Sequence, residues 1–367
     1  MPTLLVAPTA PHERLVCAVM AGGSGTRFWP LSRRDTPKQL LKFFGEKTLL
    51  RTTIDRVAPL CPPERRLVIT AERLRDAVQT DLPELGAGQI IGEPAPRNTA
   101  PCMAIAAIVA EQMDPDAILV LLPADHYVAD AEGFRRALTL AAAEADTGRI
   151  VTLGVTPTQP ETGYGYIELG DKAANGVHAV KRFVEKPDLK AALGYLQGGQ
   201  HLWNAGVFVL RADVALRAIG AHVPVILGAL APLRDGGLRY DRDDFAATLW
   251  AAFPHCPSVS IDYGVMEHER DLRVVRLDAG WSDVGTWQSV LGLKPESAPN
   301  FVAGDVLALD CEDCVLISQG PQLAAVGLRE LAVVATEKAT LVLPLDRSQD
   351  VREVVARLQA AGRDDLL

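Results

Sequence analysis

The chain has 367 residues, of which 48% are hydrophobic and 23% charged, with a formal net charge of −9. That length exceeds one typical domain and predicts a large α/β unit with a smaller appendage, each with its own core. The acidic balance excludes a general attraction for nucleic acid or anionic lipid, so any bound phosphate must be held by local groups.

Residues 1–14 read as an N-terminal extension. From Met1 to Leu15 there are three prolines and one acidic residue, without the basic start and apolar stretch of a signal peptide. No apolar run is long enough to span a bilayer, so no membrane partner is expected. The cysteines (Cys17, Cys61, Cys102, Cys256, Cys311 and Cys314) are scattered, which points to reduced thiols and a cytoplasmic setting.

From residue 15 onwards apolar runs alternate with helical patterns. Residues 15–20, 66–70, 117–122 and 150–155 predict fully buried strands. Residues 48–57, 100–112 and 133–145 carry apolar side chains at helical spacing. This alternation predicts a Rossmann-like, mostly parallel sheet over residues 15–297, with the chemistry in loops at the strand C-termini. Two prolines within residues 294–300 suggest a linker. Residues 298–367 then form a small β-rich domain, with strands near 305–309, 314–318 and 339–343. Ser348 is placed to cap a last helix that has Val351, Val354, Val355 and Leu358 on one face.

The strongest local signal is the segment 20–33, MAGGSGTRFWPLSR, directly after the first strand and followed by Pro37, Lys38 and Gln39. Its glycines allow close backbone approach and aim successive N–H groups at phosphate oxygens, while Arg27 and Lys38 supply positive charge. The bland alternative is a glycine-rich turn beside surface cations. A dinucleotide fingerprint fails because Phe28 stands where glycine is needed, and a P-loop fails for want of a closing Gly-Lys-Ser/Thr.

Asp125 ends a buried strand in the segment 121–127 (LLPADHY), and Asp283 lies in the segment 281–287 (WSDVGTW) beside Gly285. Hard Mg²⁺ takes one or two carboxylates with phosphate oxygens and water, a demand these two meet, although such aspartates also cap helices and turns. His126 is read as structural or as an outer neighbour of the site, because displacement at phosphorus by an already ionised phosphate needs no base. In the segment 93–101 (EPAPRNTAP), Asn98 and Thr99 stand at a helix start, where a simple N-cap is credible. Glycines flank aromatics in the segments 162–166 (TGYGY) and 203–208 (WNAGVF), and 183–187 reads FVEKP. Glu185 and Asn204 suit ligand hydroxyls and Lys186 a phosphate; as bland alternatives, Glu185 and Lys186 are surface charges and Trp203 is core. Cys311 and Cys314 resemble half a zinc site, but a turn between strands is the better reading, as no second pair follows.

Taken in order, these motifs resemble the mannose-1-phosphate guanylyltransferases, within the sugar-nucleotide pyrophosphorylase group. The likeness is dense from Gly22 to Gln39 and recurs to Trp287. It implies that Ala21, Gly22, Gly23, Ser24, Gly25, Thr26 and Pro123 contact the nucleotide, and that Asn98 and Thr99 lie near the guanine or ribose. Arg27 and Lys38 would stabilise the triphosphate, with Asp125 and Asp283 on catalytic Mg²⁺. Gly165, Glu185, Lys186 and Asn204 would hold the sugar phosphate. Residues 28–33 look like the guanylyl branch, which points to GTP with mannose 1-phosphate. By the same resemblance the C-terminal domain is β-helix-like and makes homodimer contacts. Other hexose 1-phosphates, or a non-catalytic GDP-mannose sensor, are the competing readings. No phosphomannose isomerase activity is expected, because no histidine follows His268.

Overall fold

A computed structural model describes residues 10–23, 25–86 and 88–367. The described chain divides into two compact units. One contains the residues up to Gly22 together with Thr53–Ala124 and Val128–Trp281; the other contains Gly23–Thr52, Asp125–Tyr127 and Ser282–Leu367.

In the first unit, strands β1 (Leu15–Ala21), β2 (Arg66–Ala71), β3 (Ile90–Glu93), β4 (Ile118–Pro123), β5 (Ile150–Val155), β6 (Tyr166–Lys172), β7 (His178–Val184), β8 (His201–Arg211) and β9 (Leu272–Arg276) share one sheet. Its order is β3-β2-β1-β4-β8-β5-β9-β7-β6. The β3-β2-β1-β4 half is parallel, as the continuous apolar runs predict, whereas β8 runs antiparallel to both β4 and β5. Strand β9 returns parallel to β5. The sheet is therefore Rossmann-like at one edge and mixed at the other. Leu15 to Val19 are each no more than 1% exposed, so both faces of β1 are covered.

The helix Thr99–Met113 is more deeply enclosed than its predicted periodicity implied, because every residue from Ala100 to Ala110 is buried. Its alanines allow close approach on all sides, while Ile105 and Ile108 each contribute about 1.5–3 kcal/mol by leaving water. The helix Ala131–Ala145 begins two residues earlier than its alanine-rich stretch suggested, because the Asp130 carboxylate accepts from Gly133 N and caps it.

The second unit carries the β-helix-like domain. Strands β10 (Phe301–Ala303), β12 (Val315–Gln319) and β14 (Leu331–Thr336) pair in parallel, and β15 (Thr340–Pro344) closes the sheet antiparallel; β11 (Val306–Leu309) and β13 (Leu323–Val326) form a separate parallel pair. Alternation decides the packing. Val315, Ile317, Ala332, Val334, Leu341 and Leu343 join Phe28, Trp29, Leu31, Phe43 and Trp287 in one core, while Leu316 and Val333 face Cys314 and Ala325 in another. Residues 28–32 are thus structural: Phe28 is 1% exposed and Trp29 6%, and the Trp29 indole donates to the Leu366 carbonyl at 2.9 Å.

Two expectations need correction. Ser348 does not cap the last helix, Val351–Ala360, whose N-cap is Asp350; the Ser348 hydroxyl donates to the Leu345 carbonyl within a preceding 3₁₀ turn. Residues 294–300 are an ordered turn within the second unit and not a loose connection, since buried Asn300 bonds both the Cys311 carbonyl and the Cys314 N–H. All six cysteines are buried free thiols.

Candidate active site

The phosphate-binding candidates of the second unit converge on Lys38. Gly25 adopts φ 58°, and a Cβ there would stand 2.5 Å from the Lys38 backbone nitrogen, so only glycine lets the loop lie this close. Gln39 reinforces the contact by donating from its amide to the Gly23 carbonyl at 3.2 Å. The Lys38 side chain is 7% exposed, its ammonium 5.9 Å from the centroid of Phe28, whose ring packs edge-on against Trp287. Lys38 Nζ meets Asp125 Oδ2 at 2.8 Å and donates to the Asp283 carbonyl at 2.5 Å. Lysine, loop, the Asp125 carboxylate and the Asp283 main chain therefore form one cluster.

Burial alone would push the Asp125 carboxyl up. The charges of Lys38, His126 and Arg27 outweigh it, and the group sits below its ordinary range, ionised at neutral pH. His126 Nε2 lies 3.9 Å from Asp125 Oδ1, an electrostatic neighbour of that carboxylate. Asp283 accepts from Gly285 N at 2.9 Å, which fixes its carboxylate at the foot of a turn. The Asp125 carboxylate, 36% exposed, is open to a ligand, and Mg²⁺ takes only one or two carboxylates when phosphates and water complete its shell. Among the described residues no group of three or more His, Cys, Asp or Glu forms an all-protein metal cage.

Arg27 and Thr26 occupy one 3₁₀ turn after Gly25. Ser24 lies outside the described residues.

In the first unit, Ala21 and Pro123 end neighbouring parallel strands, with Met20 opposite Pro123 in register. Asn98 acts as the N-cap, its side-chain oxygen accepting from Thr99 N at 3.0 Å; the Thr99 hydroxyl accepts from Ile261 N at 2.9 Å. Both side chains are thus engaged in holding the start of the helix.

The three weak aromatic and glycine segments meet in the same unit. The Gly165 carbonyl accepts from Asn204 N at 2.8 Å, and the Tyr164 carbonyl accepts from Lys186 N at 3.2 Å. A Cβ on Gly165 would stand 2.6 Å from Glu185 Oε2 and 3.3 Å from the Asn204 side chain. Tyr164 packs edge-on against Trp203 and Trp281. Glu185 pairs with Lys186 at 2.8 Å, its side chain 7% exposed against 53% for the lysine. Burial opposes the Lys186 charge, but the Glu185 carboxylate more than offsets it and raises the ammonium above its usual value. Lys186 is held at φ 47°, a strained backbone fitting a residue positioned for a ligand.

Asn204 is 8% exposed and largely committed to the protein. Its Oδ1 accepts from Thr152 Oγ1 at 2.9 Å and Gly206 N at 3.1 Å, and its Nδ2 donates to Asp262 Oδ1 at 3.0 Å. One amide N–H remains to be directed at a ligand. Asp262 was missed from the sequence. It opens a single π-helical turn, Asp262–Met266, and burial first, then the neighbouring Glu185 charge, pushes its carboxyl up to about 7. A lone aspartate before Tyr263 and Gly264 gives no periodic signal; only the fold places it beside Asn204 and Glu185.

Residues 17–298 match the nucleotidyl transferase family, and residues 304–358 match the MannoseP isomerase/GMP-like beta-helix domain. The chain is 44% identical over 351 residues to the xanthan biosynthesis protein XanB of Xanthomonas campestris pv. campestris, covering 95% of this chain and 74% of that one. It is 40% identical over 367 residues to the mannose-1-phosphate guanylyltransferase of Escherichia coli K12, covering 96% and 75%. A crystal structure from Thermus thermophilus, described as a mannose-1-phosphate geranyltransferase, superposes with a TM-score of 0.86 at 36% identity over 94% of this chain and 99% of that one. With its glycine loop, lysine and paired aspartates, the chain belongs to the nucleotidyl transferase family, among the mannose-1-phosphate guanylyltransferases.

Proposed function

We propose that the protein transfers GMP from GTP to mannose 1-phosphate, forming GDP-mannose and pyrophosphate, as a cytoplasmic homodimer. The observation that carries this reading is the buried Lys38 ammonium between Asp125 and Asp283 beside Gly25. A protein that only sensed GDP-mannose would have no use for so complete a leaving-group cluster.

The reaction needs no covalent enzyme intermediate. A phosphate oxygen of mannose 1-phosphate attacks the α-phosphorus of GTP in line, the new P–O bond forms as the α–β bridging bond breaks, and pyrophosphate departs with the electron pair. Lys38, Arg27 and the loop N–H groups of Gly23 and Gly25 take up charge on the departing pyrophosphate. Glu185 and the remaining N–H of Asn204 orient the sugar hydroxyls, and Lys186 meets the sugar phosphate. Asp125 and Asp283 would hold Mg²⁺, which when bound neutralises phosphate charge. Asp125, kept ionised by its cationic neighbours, is ready for that role at neutral pH.

The test is pyrophosphate release from a matrix of four nucleoside triphosphates and several sugar 1-phosphates, with and without Mg²⁺. Release confined to GTP with mannose 1-phosphate, and dependent on Mg²⁺, is expected. Turnover with a different pair overturns the substrates. Tight GDP-mannose binding without turnover on any pair overturns the enzyme in favour of the sensor.

A further inference from the structure

A cavity of about 400 Å³ opens in the first unit at the end of the sheet where β5 and β9 begin, side by side and in parallel. The Lys186 and Asn204 group lies beyond the other end of β5, where Gly154 and Val155 stand opposite Asn204 and Trp203, about 17 Å along the strand from Ile150. One wall is a face of the helix Ala212–His222. Val214, Arg217, Ala218, Ala221 and His222 recur there at the three- and four-residue spacing that stacks side chains on one side of a helix. The opposite wall is formed by the turns that lead into the strands, Arg149 before β5 and residues 268–271 before β9. Val214 and Ala218, each 5% exposed, and Ile150, 3% exposed, give the cavity an apolar floor.

The charges around that floor do not cancel. Asp271 is taken up by Arg273 at 2.6 Å and by Arg149 at 3.4 Å, and Arg149 also meets Glu144 at 3.0 Å. Glu269 faces His222 Nε2 at 3.4 Å and accepts from Arg270 N at 3.1 Å. Two guanidinium groups are left over. Arg217 reaches Asp213 only at 3.9 Å, and that carboxylate is already held by Arg211 at 2.8 Å. The Arg270 side chain has no ion pair among the described residues. The His268 ring stands 5.8 Å from that of His222, so two imidazoles complete the rim. On a chain of net charge −9 this is a local positive excess, and the arginines make the place hostile to a metal cation.

We propose that this cavity binds the phosphomonoester of a small metabolite, at a site separate from the catalytic one. Arg217 and Arg270 take the phosphate dianion through their forked N–H donors, and each imidazole has an N–H to add. Val214, Ala218 and Ile150 receive the carbon skeleton. The volume falls within the roughly 300–1,000 Å³ of small-molecule sites and exceeds what a phosphate ion alone would fill. No residue of the cavity belongs to the Lys38 or Lys186 groups, so the site stands whatever nucleotide and sugar the enzyme uses.

The test is calorimetric titration of wild type, Arg217→Ala and Arg270→Ala with glucose 6-phosphate, inorganic phosphate and glucose. The ring signals of His222 and His268, assigned by His222→Gln and His268→Gln, are followed by NMR in the same titrations. Wild type is expected to bind glucose 6-phosphate saturably and more tightly than inorganic phosphate, with glucose silent, and both ring signals should move along the binding curve. Each arginine variant is expected to weaken binding by about 10–100-fold, the range for one hydrogen bond to a charged group. Arg217 is 65% exposed and Arg270 is also at the surface, so neither replacement threatens the fold. Arg136→Ala, which removes an exposed arginine outside the cavity, should leave binding unchanged. No saturation by about 10 mM glucose 6-phosphate, weaker than a millimolar site, overturns the proposal. So does binding that survives in both arginine variants with the ring signals unmoved, which would put the phosphate in the Lys38 or Lys186 groups. Equal affinity for inorganic phosphate overturns the metabolite and assigns the cavity to the free ion.

Discussion

Replacing Asp262 with asparagine removes a carboxyl that the fold holds in an unfavourable place, and the effect on stability follows from the pH. The group titrates near 3.8 when exposed, and burial beside Glu185 raises it to about 7. Between those values the folded protein keeps a proton that the unfolded chain has lost. Native stability therefore falls as pH rises through that interval, by about 1.4 kcal/mol per pH unit, and levels off above it. The accumulated cost is about 1.6 kcal/mol at pH 5 and about 4 kcal/mol at pH 8. Asparagine can still accept from Asn204 Nδ2 through its own oxygen, so the packing around the amide is kept. Urea denaturation of both proteins in parallel at pH 5, 6, 7 and 8 is expected to show Asp262→Asn the more stable, its advantage growing by about 2–3 kcal/mol from pH 5 to pH 8 and flat thereafter. A constant difference across that range would refute the reasoning, since a merely structural effect of the new side chain has no reason to follow pH.

Three further outcomes are expected. Lys38→Ala should lower kcat by about a hundredfold or more, as loss of a preorganised charge partner does, and near-normal turnover would remove Lys38 from the chemistry. Gly25→Ala, which drives a Cβ into the Lys38 backbone at a positive φ, should cost about 1–3 kcal/mol in thermal unfolding and raise KM for GTP; an unperturbed melting curve would show that the loop is not held as described. Chelation with EDTA should abolish pyrophosphate release, and added Mg²⁺ should restore it; activity that persists after exhaustive chelation would exclude a metal on Asp125 and Asp283.

Continuous apolar runs made the parallel strands legible, because a strand covered on both faces has no polar side to alternate. Strand β8 was not legible. It runs through Trp203 and Asn204, where the residues looked like a ligand loop, and its antiparallel insertion between β4 and β5 is a matter of tertiary pairing that no local pattern records. At the site, glycines and cations standing close together in sequence marked the Lys38 cluster. The pairing of Lys38 with Asp125 was beyond reach because 87 positions separate them. Asp262 was missed for a different reason: what singles it out is an unfavourable environment, deep burial beside the Glu185 carboxylate, and that is a property of the fold around it.

The second unit is drawn from three separated stretches of chain, and the order of synthesis gives that arrangement a cost in time. Phe28, Trp29 and Phe43 leave the ribosome early, yet the strands that bury them begin at Phe301 and end at Pro344. At about 5–20 residues per second, those aromatic side chains wait on the order of 15–60 s for their partners, longer than the sheet of the first unit needs to begin assembling. A nascent chain in that interval displays a sticky aromatic segment that only a chaperone or the remaining translation can cover. The cluster around Lys38 is therefore among the last parts of the molecule to be completed, and truncated products should aggregate before they can handle a nucleotide.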